Sequence, residues 1–417
     1  MNGIIKKVNM AKEKGKFSAS DLNKAMSKNS QFGGLLSDGH GVSKITEYIN
    51  SGNYILNACM TGSLFKGVPN NRSVCVSGES GVGKTFLILN MCREAQKLGY
   101  FIVFYDSENA VDEELALNFG IDLDNFRYEP VQTVQEFRSN VTNMVDLLIE
   151  RKREGDEIPK VFIALDSAGN LATQKEIDDA KAYSDKSDMS RAKVMKSIFR
   201  ILMSKLGIIG GTFVFSNHIY KTLDLYAKDV QSGGTGVVYG ASLILNLSKA
   251  KLKEGTEQTG IVVTARPDKN RFCKPTTVKF HISYEHGMNP YVGLETFMDW
   301  DRCGIGRGKF ITAKEYAKLK DEQKEVCRQH PMDPDVYFQP NEAGRGICTT
   351  HSTTAYRLNQ IWTKDVWAQE HLERLDTYVK GVFAYSKNGD EEIMDVLGEE
   401  AEDSDNTDEL IKGQLDE

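Results

Sequence analysis

No stretch of this 417-residue chain approaches the roughly 18 consecutive apolar residues that a membrane-spanning helix needs. The opening MNGIIKKVNMAKEKGKF is basic but holds no apolar run of the length a secretory leader requires. Cysteine is sparse: the seven present are odd in number and irregularly spaced, which fits free thiols in a reducing compartment rather than a disulfide framework. These absences point to a cytoplasmic protein with no membrane partner. No internal repeat is found. What remains, 40% hydrophobic and 27% charged residues, is ordinary for a soluble globular chain. Its length exceeds one typical core, so two or more domains are expected.

The formal net charge of −7 is unevenly spread. From Asp390 onward, thirteen acidic residues face the single base Lys412, giving −12, while residues 1–389 hold 51 Lys and Arg against 46 acids, giving +5. An acidic tail on a mildly basic body suits a protein that handles nucleic acid, and equally suits a disordered segment that aids solubility.

Along the chain, residues 1–50 read as a helical, lysine-rich arm ending in the glycine-rich GGLLSDGHG. Residues 51–294 alternate apolar runs with helical patterns. Strands are predicted at 73–77, 100–105, 161–165, 212–215, 243–247, 261–265 and 277–282. Helical spacing links Val134, Phe137, Val141, Met144 and Leu148, and likewise Met195, Phe199, Leu202 and Leu206. Alternation of this kind predicts an α/β fold with a mostly parallel sheet. Residues 295–388 are more broken in pattern and predict a small C-terminal domain; residues 389–417 are read as an acidic, disordered tail.

The strongest motif is GESGVGKT at 78–85. Gly78, Glu79, Ser80, Gly81, Val82 and Gly83 would form a tight loop whose backbone N–H groups face phosphate oxygens. Lys84 would reach the β and γ phosphates, and Thr85 would place a hydroxyl on Mg²⁺. The flanks agree: a strand-like SVCVS precedes the motif and a helical TFLILNMCREAQKL follows. ATP and Mg²⁺ are therefore the expected ligands. VFIALD ends in Asp166, a carboxylate placed to hold Mg²⁺ beside the loop. No second acid follows Asp166, because Ser167 stands there; Glu108, in FIVFYDSE, is the better candidate to activate water. Glu108 also reads as an acid at a helix N-terminus. An Asn-Lys-x-Asp guanine-reading motif is absent, which argues against GTP.

From about 45 to 295 the chain resembles the RecA-type recombinases, and among them the UvsX recombinases of T4-like bacteriophages. The resemblance rests on GESGVGKT, FYDSE, ALDSAGNLATQKE, SDMSRAKVMKSIFR, FSNH, SGGTG and the KNR of RPDKNRFCKP, in that order. It implies a RecA-like P-loop ATPase core, an N-terminal polymerisation arm and a small C-terminal domain. Lys84, Thr85 and Asp166 would bind ATP and Mg²⁺, and Glu108 would be the catalytic base. Asp112 would contact adenine, although Leu115 stands where the family stacks a tyrosine. His218 would sense the γ-phosphate. Lys269 and Arg271 match a cationic pair that reaches ATP across a filament interface. For a phage protein, the compartment would be the host cytoplasm.

Two segments are candidates for DNA contact. The first, residues 169–188, has loop-like composition and leads into a helix bearing Arg191, Lys193, Lys196 and Arg200; the second, residues 219–237, contains Gly233 and Gly234. Glycine lets backbone N–H groups approach phosphates, and Lys and Arg add salt-dependent attraction. On composition alone, the helix reads as a solvated basic face over Met195 and Phe199. The resemblance makes these segments the two DNA loops of a filament axis. Cys327-x-x-His330 and Cys348-x-x-His351, 17 residues apart, have spacing that can hold zinc. Pro331 directly after His330, and the likeness of CTT to a UvsX segment without such a set, argue against it.

The expectation is thus a DNA-dependent ATPase that forms helical filaments on single-stranded DNA and catalyses pairing and strand exchange in recombination, repair and replication. A single-strand-binding protein and a recombination mediator are implied partners. The alternatives are a hexameric helicase on the same core and a nucleotide-gated DNA-coating scaffold.

Overall fold

The computed structural model describes residues 17–28, 34–35, 37, 44–181, 191–221, 229–231 and 240–385, with the side chains of 180, 220–221 and 229–231 excepted. Residues 1–16 of the arm, Gly233, Gly234 and the acidic tail lie outside the described residues.

Six parallel strands form the centre of the molecule, and both their faces are covered. They are β3 (Ser73–Gly78), β4 (Tyr100–Asp106), β5 (Phe126–Pro130), β6 (Lys160–Asp166), β7 (Thr212–Lys221) and β9 (Leu243–Glu254). Burial on both faces explains why these strands read as nearly continuous apolar runs. Val74, Val76, Phe162 and Ala164 face one buried cluster; Cys75, Ile163, Leu165, Phe213 and Phe215 face the other. The first face is covered by α2 (Tyr54–Thr61) and α3 (Lys84–Lys97), the second by α5 (Val134–Glu154) and α7 (Arg191–Ile209).

The sheet runs in the order β12-β11-β10-β9-β3-β7-β6-β4-β5, with β8 (Asp229–Gln231) antiparallel to β7. Its antiparallel edge comprises β10 (Glu257–Asn270), β11 (Val278–Ser283) and β12 (Gly287–Met288). One strand, β7, lies between the strand that leads into GESGVGKT and the strand that ends in Asp166. The carboxyl ends of β3, β7, β6 and β4 therefore open on one crevice, the usual place for a ligand in such sheets.

Every predicted strand is present, as are the helices read after GESGVGKT, around 134–148 and around 195–206. Three features differ from the sequence reading, one being β8 and the end of β7 within the segment 219–237 that reads as a loop. An additional strand, β5, forms at the sheet edge; its residues are half covered, so it carries no apolar run. The stretch 169–188, which reads as a loop, contains helix α6 (Gln174–Lys181). Thr173 accepts from Glu176 N (3.1 Å) while Glu176 takes the Thr173 N–H (2.6 Å), so a capping box starts α6.

A small pair, β1 (Tyr48–Ile49) with β2 (Val68–Pro69), precedes the main sheet. The C-terminal segment builds a five-stranded sheet, β14 (Arg328–Gln329), β15 (Val336–Pro340), β13 (Ile305–Thr312), β16 (Gly346–Thr349) and β17 (Ser352–Arg357). It is followed by a C-terminal helix, Gln369–Phe383. Ile305, Ile347, Trp367, Leu375 and Phe383 belong to the same buried cluster as α2 and α3, so this segment shares the main core. In the arm, α1 (Ala19–Ser27) has a Ser18–Asp21 capping box and buries no residue; Phe17, Leu22 and Met26 are exposed. Short helix α4 (Glu113–Asn118) completes the set that concerns the site. No helix among the described residues is long and apolar enough to cross a membrane.

Candidate active site

The phosphate loop closes between β3 and α3. Gly83, the residue before α3, has φ of +94°, and Gly81 has +69°, both in the left-handed region that side chains disfavour. No side chain caps the first turn of α3, which leaves its N–H groups directed at the crevice. Lys84 folds back over the loop, donating to the carbonyls of Gly78 (3.0 Å) and Glu79 (2.9 Å). Burial lowers its pKa, while Asp166 and Glu108 oppose that shift. Sequence reading missed Lys249 of β9, which donates to the carbonyls of Ser80 (3.1 Å) and Gly81 (3.0 Å). Its partner groups lie 168 residues away in sequence, and only strand pairing brings them together.

Asp166 is 1% exposed at the end of β6. Thr85 donates its hydroxyl to one carboxylate oxygen, and Ser216 of β7 donates to the other. Burial pushes the Asp166 carboxyl up, the two hydroxyls pull it down, and the nearby charges of Glu108 and Asp106 push it up again. A buried carboxyl beside two other acids is an environment that favours a bound cation. Paired with the Thr85 hydroxyl, it offers the hard oxygen ligands that suit Mg²⁺. The residues therefore fit that ion. The peptide bond between Asp166 and Ser167 is cis.

Burial and the neighbouring acids penalise the charged form of Asp166, so the folded state loses stability as pH rises through its raised pKa. Asp166→Asn is expected to raise the melting temperature of the nucleotide-free chain by about 2–4 °C while abolishing Mg²⁺-dependent hydrolysis. A melting temperature below wild type in differential scanning calorimetry would contradict this reading.

Glu108 lies just past β4. Its Oε1 is 2.9 Å from His218 Nε2. The His218 hydrogen bond holds its carboxyl below the ordinary range despite burial, with help from Ser167 and the charge of Lys84. Glu108 is thus a carboxylate at neutral pH, able to accept a proton. Its loop is organised by Asp106, a second residue that sequence reading missed. Asp106, 1% exposed, accepts the backbone N–H groups of Glu108 (2.8 Å), Ala110 (2.9 Å) and Val111 (3.1 Å) and the Tyr128 hydroxyl (3.3 Å). In the DSE of FYDSE, one acid thus holds the loop that carries the other. His218 ends the β3–β7 register opposite Gly78, so the ring stands beside the phosphate loop.

The other anticipated residues are more dispersed. Asp112 is exposed and caps α4, its Oδ1 accepting from Leu115 N (2.8 Å). Arg191 donates to the carbonyls of Ala168 (3.3 Å) and Gly169. Lys193, Lys196 and Arg200 are exposed on α7, one to two turns apart, while Met195 and Phe199 are buried on the opposite side. Lys269 and Arg271 lie away from their own phosphate loop. Lys269 pairs with Ile244 and Ile244 with Cys75, three residues before Gly78 and two strands across. Burial and the neighbouring Arg271 both lower the Lys269 pKa. The Cys/His pairs do not converge on zinc. His330 Nε2 lies 3.1 Å from the carbonyls of Thr349 and Ser352, and its Nδ1 accepts from Met332 N.

Comparison with known proteins decides the family. A RecA N-terminal domain profile matches residues 19–289, well over half of the chain. The chain belongs to the RecA family. Phage T4's "Recombination and repair protein" is 34% identical over 193 residues, which cover 46% of this chain and 48% of that protein. The match thus spans about half the length of the T4 protein. "Protein RecA" of Prochlorococcus marinus is 27% identical over 303 residues, covering 68% of this chain and 76% of that protein. "Protein RecA" of Corynebacterium jeikeium is 27% identical over 335 residues, covering 70% and 85%. The RecA-family assignment agrees with the mostly parallel α/β core and with the fold the motifs imply.

Proposed function

We propose that this RecA-family chain is a DNA-dependent ATPase that assembles into helical filaments on single-stranded DNA and drives homologous pairing and strand exchange. One observation carries the reading: the proton acceptor of the ATP site is joined by contact to both candidate DNA segments. Glu108 meets His218, and β7 runs on from His218 into the second segment. Gly169, which opens the first segment, packs so closely that an added Cβ would lie 3.0 Å from the His218 ring. The Gly169 carbonyl is held by Arg191, the first residue of the helix with the basic face. A change at the γ-phosphate that moved His218 would therefore press on both segments.

In this reading Lys84 and the N–H groups of residues 78–85 bind the triphosphate, Glu108 orients and deprotonates water, and Asp106 fixes Glu108. Thr85 and Asp166 would hold Mg²⁺, which supplies charge neutralisation for the phosphates. Asp112 would contact adenine with its remaining carboxylate oxygen. Lys269 and Arg271 would reach the ATP of a neighbouring protomer, where cations stabilise the charge that develops on the leaving phosphates. Arg191, Lys193, Lys196 and Arg200, with Gly233 and Gly234, would contact the DNA backbone, a sequence-tolerant mode that leaves selection to base pairing. Exposed Leu22 and Met26 on α1, with exposed Phe17 just before its cap, give the arm apolar groups for a neighbouring protomer. Duplex DNA, a single-strand-binding protein and a recombination mediator complete the proposed partners, in the cytoplasm of the cell or of a phage host.

Electron microscopy with single-stranded DNA and a slowly hydrolysed ATP analogue tests the assembly. Open helical filaments are expected. Closed rings would favour the helicase reading instead.

A further inference from the structure

One group of side chains far from the ATP site is arranged for a different purpose. The turn between β16 and β17 carries Thr350 and His351, and the first turn of the C-terminal helix carries Glu370 and His371. His371 is fully buried, and its Nδ1 lies 3.0 Å from the Val366 carbonyl. A carbonyl only accepts, so the proton sits on Nδ1 and Nε2 is the unprotonated nitrogen, which accepts from the Thr350 hydroxyl at 2.8 Å. The same logic holds for His351, whose Nε2 bonds the Asp365 carbonyl and whose Nδ1 is therefore unprotonated. The two unprotonated nitrogens face each other at 3.4 Å. Glu370 brings a carboxylate oxygen to 3.6 Å from His371 Nε2, and one ligand atom from each of the three residues lies within 4.8 Å of the others.

Two unprotonated ring nitrogens with a carboxylate alongside make a set of ligand atoms that favours a cation, and the Thr350 hydroxyl proton compensates only the His371 side. The spacing identifies the size of that cation. Tetrahedral zinc with nitrogen ligands at about 2.0–2.1 Å holds them about 3.3–3.4 Å apart. The backbone carbonyls behind both rings are the outer partners that usually fix the tautomer of a metal-binding histidine.

We propose that His351, His371 and Glu370 form a zinc site. Two imidazoles and a carboxylate suit zinc better than Mg²⁺ or Ca²⁺, which take oxygen ligands. Thr350, whose hydroxyl lies 2.8 Å from His371 Nε2, turns aside to free that lone pair for the metal. The site ties the five-stranded sheet to the start of the C-terminal helix. That helix is itself pinned to the core, because Asp376 accepts from the Ser63 hydroxyl (2.8 Å) and Leu64 N (2.6 Å). Neither Cys327 nor Cys348 takes part, which separates this set from the Cys/His spacing seen in the sequence.

The test uses the full chain without nucleotide, titrated with zinc against a chromophoric chelator, and with Co²⁺ to read the ligand field. Wild type should bind one zinc per chain, and zinc should raise its melting temperature. His351→Gln should weaken binding by at least about 100-fold and Glu370→Gln by at least about tenfold. Both positions reach solvent, and circular dichroism checks their folding. Thr350→Val, which removes the competing hydroxyl, should bind zinc at least as tightly as wild type. Equal zinc affinity in wild type, His351→Gln and Glu370→Gln would place any metal elsewhere and overturn the proposal. So would a wild type that binds no zinc, which would leave only a shared proton between the rings.

Discussion

Glu108→Gln is expected to lower the rate of DNA-stimulated ATP hydrolysis by roughly 10²–10⁴-fold, the usual worth of a positioned general base. The expectation rests on isolating one property. Glutamine keeps the size of the side chain and can still bond His218, but it cannot take a proton from water. The wild-type carboxylate can, because His218, Ser167 and Lys84 favour its ionised form and outweigh the effect of burial. Lys84 and the loop N–H groups are untouched, so nucleotide binding should change little. Single-turnover hydrolysis together with an ATP-binding titration separates the two. A loss below tenfold would move the role of base to another residue; a parallel loss of binding would mean that Glu108 mainly holds the loop.

Removal of the cationic pair should cost as much for a different reason. Lys269→Ala or Arg271→Ala is expected to reduce hydrolysis on DNA by about 10³-fold, the lower end of what a charge-stabilising arginine contributes in related chemistry. Nucleotide affinity of the unassembled chain should be unaffected. The reason is register. Lys269 sits three strand positions back from Gly78, a displacement of about 10 Å along the strand, with a further strand between. Asn270 fixes the turn, donating to the carbonyls of Cys59 (3.1 Å) and Met60 (3.2 Å), and its Oδ1 accepts from Phe272 N (2.8 Å). Arg72 adds a third positive charge nearby; burial and then Arg271 lower its pKa. A strong effect on ATP affinity in the monomeric chain would contradict this account.

Much of this was legible in the sequence, for reasons that differ by residue. GESGVGKT is readable because one loop needs contiguous residues of fixed type. Asp166 is readable because a two-sided core turns β6 into an apolar run that ends on a single acid. Glu108 required more, since nothing local distinguishes it from a helix-capping acid. Asp106, Ser216 and Lys249 were not read at all. Each matters through contacts with residues distant in sequence or through backbone N–H groups, and neither leaves a pattern along the chain. The edge strand β5 and helix α6 were missed because partial exposure removes the hydrophobic period. The pair His351 and His371 was likewise hidden, because the spacing of Cys327, His330, Cys348 and His351 suggests a different set.

In the proposed filament the ATP site is completed between two protomers, and a mixing experiment tests this most directly. Glu108→Gln and Lys269→Ala/Arg271→Ala proteins are each nearly inactive alone. Joined head to tail on single-stranded DNA, they would create some interfaces where an intact Glu108 pocket meets intact cations from its neighbour. With random mixing of equal amounts, about a quarter of the interfaces would be whole. The account predicts that ATP hydrolysis recovers to about that fraction of the wild-type rate. If the mixture stays as inactive as its components while both proteins still coat the DNA together, Lys269 and Arg271 act within their own chain or not at all.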